Sequence, residues 1–266
     1  MSTKLYSLSI NIAYFLLAAL CLSACSSSEV HETPEEKRAK EAAAQKVIDQ
    51  SILAHGGNRY EKASISFDFR DKHYTSIRSG GNYQYTREFQ KDSETIRDVL
   101  SNAGFQRFTN GQLVELNEKK SNAYLNSVNS VLYFMQLPYG LNDAAVIKRH
   151  LGTVEIEGKA YDKIRVSFQE EGGGQDFEDV FIYWINQESS LVDYLAYEYH
   201  TDGGGMRFRK AINQRVVNGI TFADYINYKP KGIFTDLYEL DQAYTQGALE
   251  EVSRIINTNI KVALAE

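Results

Sequence analysis

Two arginines and a histidine are the side chains whose spacing suggests a binding chemistry most directly. Arg207 and Arg209 alternate along a predicted strand and so share one of its faces, and His200 lies on the preceding strand. Two guanidinium groups on one face can bind a phosphate or carboxylate through paired hydrogen bonds. The same alternation is typical of a solvated strand face, and a hydrolase that uses these three residues is a further alternative.

A second group of polar residues is acidic and surrounds a run of glycines. Its five carboxylates are those of Glu170, Glu171, Asp176, Glu178 and Asp179. Ca²⁺ takes about six to eight oxygen ligands from such groups, but this spacing matches no EF-hand. We interpret the segment as the solvated tip of a hairpin.

The sequence contains no arrangement typical of a metal site or a catalytic set. Apart from His31, the histidines occur singly, at His55, His73, His150 and His200, without the spacing of metal ligands. A nucleophile elbow, a P-loop and a dinucleotide fingerprint are all missing. We therefore predict no catalytic residue, no metal and no cofactor, and do not expect an enzyme. His55 precedes Gly56 and is expected to contact the last carbonyls of its helix.

The composition is that of a globular protein that does not bind nucleic acid. Of the 266 residues, 43% are hydrophobic and 24% are charged, which excludes a disordered, collagen-like or coiled-coil chain. Lys and Arg number 29 against 35 Asp and Glu, so the basic surface that nucleic acid requires is not expected. The 18 Tyr and 13 Phe favour β-strands.

The N-terminus has the features of a secretory signal peptide, which we assign to residues 1–24. Residues 10–22 are almost wholly apolar, and the only charge before them is that of Lys4. Leu22-Ser23-Ala24-Cys25 resembles the bacterial lipobox, in which the cysteine is acylated and becomes the new N-terminus. The alternative is an uncleaved N-terminal helix that contains the cysteine incidentally.

Lipidation at Cys25 predicts a protein held to a membrane. Two or three acyl chains anchor a protein far more firmly than one. Residue 26 is Ser rather than Asp, which under the known sorting rule indicates the outer membrane. Residues 25–36 form a lipidated stalk in this interpretation, and residues 37–266 form a single domain. Because Cys21 leaves with the signal peptide, the mature domain has no thiol for a disulfide, a metal or catalysis.

The hydrophobic pattern of the remaining chain predicts one helix followed by strands. The apolar residues between positions 35 and 54 have helical spacing, and this pattern ends before Gly56 and Gly57. After these glycines, apolar and polar residues alternate with a period of two. Asn110-Gly111 and Asn218-Gly219 are strong hairpin signals. We expect about ten strands in one large antiparallel sheet, and hence an α+β fold.

A helical insert is predicted between residues 119 and 151. Tyr124, Val128, Leu132 and Met135 lie on one helical stripe, and Pro138 ends the helix. A second short helix is expected from Asn142 to the basic pair at residues 148–149, so that a helical hairpin covers the sheet.

Four segments resemble a family of uncharacterised Gram-negative envelope lipoproteins within the LolA/LolB-like superfamily. They are AHGG at residues 54–57, NSVNSVLYF at 126–134, LPYGLNDAA at 137–145 and YWI at 183–185. The resemblance covers most of the mature domain and implies an open half-barrel whose helices cover an apolar cavity. A soluble carrier cannot have a lipid anchor of its own. The predicted lipidation at Cys25 therefore indicates a membrane-held acceptor or sensor.

Our first hypothesis from these observations is a non-catalytic outer-membrane lipoprotein. It binds a lipid, or the acyl chains of another lipoprotein, in a space between the sheet and the helical lid. The expected ligand-binding residues are Phe67, Phe69, Tyr83, Tyr85, Tyr133, Phe134, Met135, Trp184, Tyr197, Arg207 and Arg209. A solid core beneath the helix, in a structural or scaffolding lipoprotein, is the alternative. The sequence identifies no protein partner.

Overall fold

The computed structural model describes residues 32–171, 178–200, 204–232 and 236–265. The signal peptide, Cys25, His31 and the middle of the acidic segment lie outside these ranges, so the predictions made for them stay predictions. The chain divides into two units, Met1–Glu36 and Lys37–Glu266. Within the described ranges, no helix has the length and apolar character needed to cross a membrane.

Helix α1 spans Pro34–His55 and confirms the predicted N-terminal helix. Proline at the helix start and two glutamates in the first turn suit the N-terminal end of the helix dipole. The helix therefore begins inside the predicted stalk. At its end, Nδ1 of His55 donates to the Ser51 carbonyl at 2.8 Å, as expected from the sequence.

Within the described ranges, fourteen strands form two antiparallel sheets of seven. Sheet A has the order β14-β1-β2-β3-β4-β5-β6, and sheet B has the order β13-β12-β11-β10-β9-β8-β7. The strands of sheet A are β1 (Ala63–Phe69), β2 (Lys72–Ser79), β3 (Asn82–Lys91), β4 (Glu94–Ser101), β5 (Gly104–Thr109), β6 (Gln112–Leu113) and β14 (Asn257–Leu264). Those of sheet B are β7 (Val146–Ile156), β8 (Lys159–Phe168), β9 (Val180–Asn186), β10 (Val192–Tyr199), β11 (Gly205–Val217), β12 (Ile220–Pro230) and β13 (Leu249–Ile255).

The α+β class and the open antiparallel architecture are thus confirmed. The expectation of about ten strands in one sheet is wrong, because the described residues form fourteen strands in two sheets. Only Ile256 separates β13 from β14, so the chain crosses there from sheet B into sheet A. Strands β6 and β7 form the two outer edges, which leaves the architecture open. Both Asn-Gly hairpins are confirmed: φ is positive at Asn110 and Gly111, and at Asn218 and Gly219.

Helix α2 spans Glu118–Met135 and confirms the first half of the predicted insert. The side chain of Asn117 caps it by accepting a hydrogen bond from the Lys120 amide at 2.9 Å. The second predicted helix is wrong. Tyr139–Asn142 makes a single 3-10 turn, and Lys148 and Arg149 lie in β7, where pairing with β8 outweighs the favourable placement of charges for a helix.

The helices cover three sheet faces. Helix α2 packs on sheet A. Helix α1, the end of α2 and Leu141 pack on one face of sheet B. A short helix α3 (Leu240–Thr245) packs on its opposite face. Sheet B is therefore apolar on both faces, which explains the unbroken apolar run in β9.

Candidate functional site

The middle of α2 is fixed to sheet A by a buried ionic cluster. Asp98 is fully buried and accepts hydrogen bonds at 2.6 Å from both Arg87 and Arg107. Arg87 also donates to the Ser127 hydroxyl of α2 at 2.6 Å. The Arg107 guanidinium lies 3.4 Å from the ring centre of Tyr124, one turn earlier on the helix. Sheet A thus holds α2 through charged groups as well as apolar contacts.

The protein's own side chains occupy the space beneath this part of α2. Val128 and Leu132 are fully buried and pack with Met135, Phe67 and Tyr85 in one cluster. Phe67 stacks on Tyr74, with 5.4 Å between ring centres. On sheet A the structure therefore shows the solid-core alternative rather than an apolar hollow.

The other predicted ligand-binding residues of sheet A lie at the margin of this cluster. Phe69 and Tyr83 are partly buried. Arg78 donates a hydrogen bond to the Tyr85 hydroxyl and lies 6.0 Å from the ring centre of Tyr83. Tyr85 thus lies in the core and Phe69 and Tyr83 at its border, where Tyr83 also lines an open surface pocket.

The end of α2 contributes instead to a group of rings on sheet B, which we call the aromatic cluster. It consists of Tyr133, Phe134, Phe168, Phe181, Tyr183 and Tyr197. Phe181 is at the centre, 5.5 Å from Tyr197 and 5.9 Å from Tyr133, measured between ring centres. Phe134 and Tyr197 are partly exposed, so the cluster reaches the protein surface.

Two hydroxyl groups join α2 to sheet B within the aromatic cluster. The hydroxyls of Tyr133 and Tyr183 are 2.9 Å apart and share one hydrogen bond. Burial raises the pKa of Tyr133 and of Tyr183 above that of an ordinary phenol. Both groups therefore stay protonated at neutral pH, one donating and the other accepting.

Arg209 lies against the aromatic cluster and is only 8% exposed. Its guanidinium carbon is 3.8 Å from the ring centre of Phe134, and its Nη2 donates to the Tyr197 hydroxyl at 2.9 Å. Its Nε is buried and has no hydrogen-bond partner. Among the described residues, no carboxylate comes within ion-pair distance of it. A buried guanidinium without a counter-ion is unusual, because burial of an unpaired charge is costly.

The neighbouring polar residues do not assemble into a catalytic set. Arg207 lies on the same strand face, 5.1 Å from the ring centre of Tyr199, and donates to the Met206 carbonyl at 2.8 Å. His200 is instead 3.7 Å from a carboxylate oxygen of Asp179. Across the described part of the chain, no three His, Cys, Asp or Glu residues are grouped as metal ligands would be.

Trp184 does not lie with the other predicted ligand-binding residues. It is fully buried on the opposite face of sheet B, and its indole nitrogen donates to Asp241 at 3.2 Å. Successive residues of a strand point to opposite faces, so Tyr183 faces α2 while Trp184 faces α3. Trp184 is therefore part of the α3 core.

Sequence reasoning missed four residues of this site: Phe168, Phe181, Tyr183 and Asn227. Asn227 lies opposite Arg209 in the β11–β12 ladder, and its Oδ1 is buried without a hydrogen-bond partner. The apolar run of β9 indicated that Phe181 is buried, but nothing in the sequence pairs Asn227 with Arg209.

The comparisons with known proteins give a family without an assigned activity. The model of a family of unknown function, DUF6503, matches residues 14–257. No curated protein matches the sequence.

Among solved structures, the chain is similar to a LolA superfamily protein from Nitrosomonas europaea, with 12% identity, a TM-score of 0.47, and coverage of 84% of this chain and 94% of that one. It is also similar to a DUF1329 family protein from Desulfovibrio piger, with 9% identity, a TM-score of 0.41, and coverage of 82% and 92%. At these identities and TM-scores, the likeness establishes neither a shared ligand nor a shared activity.

Proposed function

We propose an amphiphile-binding function for this chain, which belongs to the DUF6503 family of unknown function. The protein is a non-catalytic lipoprotein of the cell envelope that binds a lipid, or the acyl part of another lipoprotein, at the aromatic cluster. The main support for this proposal is the position of the Phe134 ring over Arg209.

Phe134 is a partly exposed apolar side chain that covers a buried polar group. It comes from the last turn of α2, and its ring centre is 5.4 Å from that of Tyr197 on sheet B. Rotation of this one side chain uncovers Arg209 and the ring of Tyr197. An acyl chain can then replace the ring, and each methylene that it buries contributes about 0.8 kcal/mol.

This location differs from the lid-and-cavity arrangement expected from the sequence. The ionic cluster of Asp98 and the filled core hold the middle of α2 on sheet A. The contacts of Tyr133 and Phe134 with sheet B are the ones that a ligand can replace without unfolding the helix. The ligand site therefore lies at the end of α2.

Anchoring at Cys25 places the protein at the outer membrane in this proposal. A tethered binding domain receives or senses an amphiphile at the membrane surface. Cys25→Ser is expected to move the protein from the membrane fraction to the soluble fraction, as measured by fractionation and immunoblotting. Unchanged membrane association would contradict the anchor.

Binding itself is tested with methyl cis-parinarate, an uncharged fluorescent acyl probe. We expect saturable binding to the wild type and tighter binding to Phe134→Ala, because that variant vacates the space that the chain must enter. Phe105→Ala, which shortens a partly buried aromatic side chain on sheet A, is the matched control and should bind like the wild type. Absence of saturable binding to the wild type, or equal affinity in Phe134→Ala, would contradict the proposal.

A structural role is the alternative that the filled core beneath α2 supports. A scaffolding lipoprotein needs no ligand, so native mass spectrometry of protein extracted from the envelope would find no bound lipid. Crosslinking in intact cells would then recover a protein partner, and Phe134→Ala would alter stability without altering probe binding.

A further inference from the structure

We propose that Arg209 and Asn227 form a head-group site for an anionic oxygen, that of a carboxylate or a phosphate, at the polar end of the aromatic cluster. This inference rests on the proposed function and specifies the chemistry of the amphiphile.

Arg209 carries a buried positive charge that is not satisfied. The residue is 8% exposed, and among the described residues its Nε has no hydrogen-bond partner and no carboxylate pairs with it. Structural buried arginines are normally paired, as Arg87 is with Asp98 in this protein. The missing partner of Arg209 is therefore an anion that the described part of the chain does not supply.

Phe134 covers Arg209 without satisfying its hydrogen-bond donors. Its ring covers a face of the guanidinium at 3.8 Å, which gives a cation–π contact but leaves the Nε–H without an acceptor. An anion bound in the guanidinium plane satisfies that donor through a charge-assisted hydrogen bond. The cation–π contact thus leaves the Nε–H of Arg209 available to the ligand's head group.

Asn227 has a buried acceptor without a donor among the described residues. Asn227 and Arg209 are register partners on adjacent strands, so their side chains point to the same face of sheet B. The Asn227 Nδ2 donates to the Ser253 hydroxyl at 3.2 Å, which leaves Oδ1 buried and without a donor. A hydroxyl group next to the anionic oxygen of the ligand, as in a glycerol-based or protonated head group, would donate a hydrogen bond to this Oδ1.

Arg207 adds a second positive charge on the same strand face. It is partly exposed, lies opposite Tyr197 in the β10–β11 ladder, and has no ion pair within the described residues. It is placed to attract an anion towards Arg209 and to remain hydrated when the head group is bound.

The test compares cis-parinaric acid with its methyl ester, two probes that differ only in the charge of the head group. We expect the wild type to bind the acid at least about tenfold more tightly than the ester. Arg209→Met should abolish that preference, so that this variant binds the acid and the ester with affinities within about twofold of each other. Arg97→Met, which removes an exposed arginine of sheet A, is the matched control and should keep the preference.

The outcomes separate this inference from the proposed function. Equal binding of acid and ester by the wild type would overturn the head-group site and leave acyl binding intact. Failure of both probes to bind would refute the proposed function as well. The comparison on the wild type decides the question even where Arg209→Met does not fold.

Competition against bound cis-parinaric acid identifies the source of the anion. Displacement by lysophosphatidate and not by monoacylglycerol supports a phosphate head group, and displacement by palmitate alone supports a carboxylate. Equal displacement by monoacylglycerol and both anionic competitors would overturn the requirement for charge.

Discussion

Tyr133 of α2 and Tyr183 of β9 share a hydrogen bond of 2.9 Å between their hydroxyl groups, and this bond ties the end of the helix to sheet B. Both residues belong to the aromatic cluster, so the bond lies beside the side chain that the ligand is proposed to replace. The strength of this bond therefore influences both stability and ligand entry.

Removing one of the two hydroxyls should cost more than removing both. Tyr133→Phe leaves the buried Tyr183 hydroxyl without a partner, and we expect a loss of about 1–3 kcal/mol in the free energy of unfolding. The double variant with Tyr183→Phe leaves no orphaned group and should recover much of that loss. Urea denaturation of both single variants and the double variant measures this. A double variant that is less stable than the single variants would contradict the assignment.

Two buried arginines should respond oppositely to replacement by methionine. Arg209 has no counter-ion among the described residues, so Arg209→Met should leave the free energy of unfolding within about 1 kcal/mol of the wild type or raise it. Arg87 is paired with Asp98 at 2.6 Å, and Arg87→Met should cost about 3 kcal/mol. Thermal and urea unfolding provide the comparison. A large loss in Arg209→Met would mean that this arginine is structural rather than held for a ligand.

His55 should make the protein less stable in mild acid. Burial lowers the pKa of His55 below its ordinary value of 6.5, against the raising effects of the Ser51 carbonyl and of Asp193. In the window between the lowered pKa of the folded state and 6.5, the unfolded chain binds the additional proton. This contribution to stability is therefore complete above the upper limit and is lost as the pH falls through the window.

The change in unfolding free energy between about pH 7.5 and about pH 5 should be smaller in His55→Gln than in the wild type. The other titrating groups are present in both proteins, so the difference between the variant and the wild type gives the contribution of His55 alone. An equal change in the two proteins would refute the contribution of His55.

Two glycines with positive φ should differ in their tolerance of alanine. Gly56 has φ +137°, and a Cβ there would lie 3.0 Å from the Gly219 carbonyl oxygen and 3.1 Å from Ile220. Gly111 has φ +81° and open space around it. Both variants strain the backbone, at about 1–3 kcal/mol, and Gly56→Ala should lie at the upper end because it also forces α1 away from β12. Equal melting temperatures for the two variants would show that this contact is unimportant.

The parts of the fold that local signals determine could be predicted from the sequence. Asn-Gly at residues 110–111 needs positive φ twice, and the apolar stripe of α2 has no other arrangement that buries it. The second predicted helix failed because residues 142–149 carry helix-like charges, while pairing between β7 and β8 decides their structure. Such pairing depends on residues distant in the sequence.

The site could be predicted only in part. Which faces of a sheet are covered, and which counter-ion a buried charge has, depend on the tertiary structure. The sequence placed Arg207 and Arg209 on one face and identified Tyr133, Phe134 and Tyr197 as ligand-binding residues, a role that stays a prediction. It could not show that sheet B is covered on both faces, which separates Trp184 from Tyr183. Nor could it show that Arg209 is buried without a carboxylate partner in the part of the chain that the structure describes.

Photolabelling with a diazirine-bearing fatty acid tests most directly whether an amphiphile binds at the aromatic cluster. Protein labelled to saturation and digested should carry the label on peptides that contain Phe134, Tyr197 or Arg209, and excess palmitate should prevent the labelling. Label on the strands of sheet A beneath Val128 and Leu132, or labelling that palmitate does not reduce, would contradict binding at the end of α2.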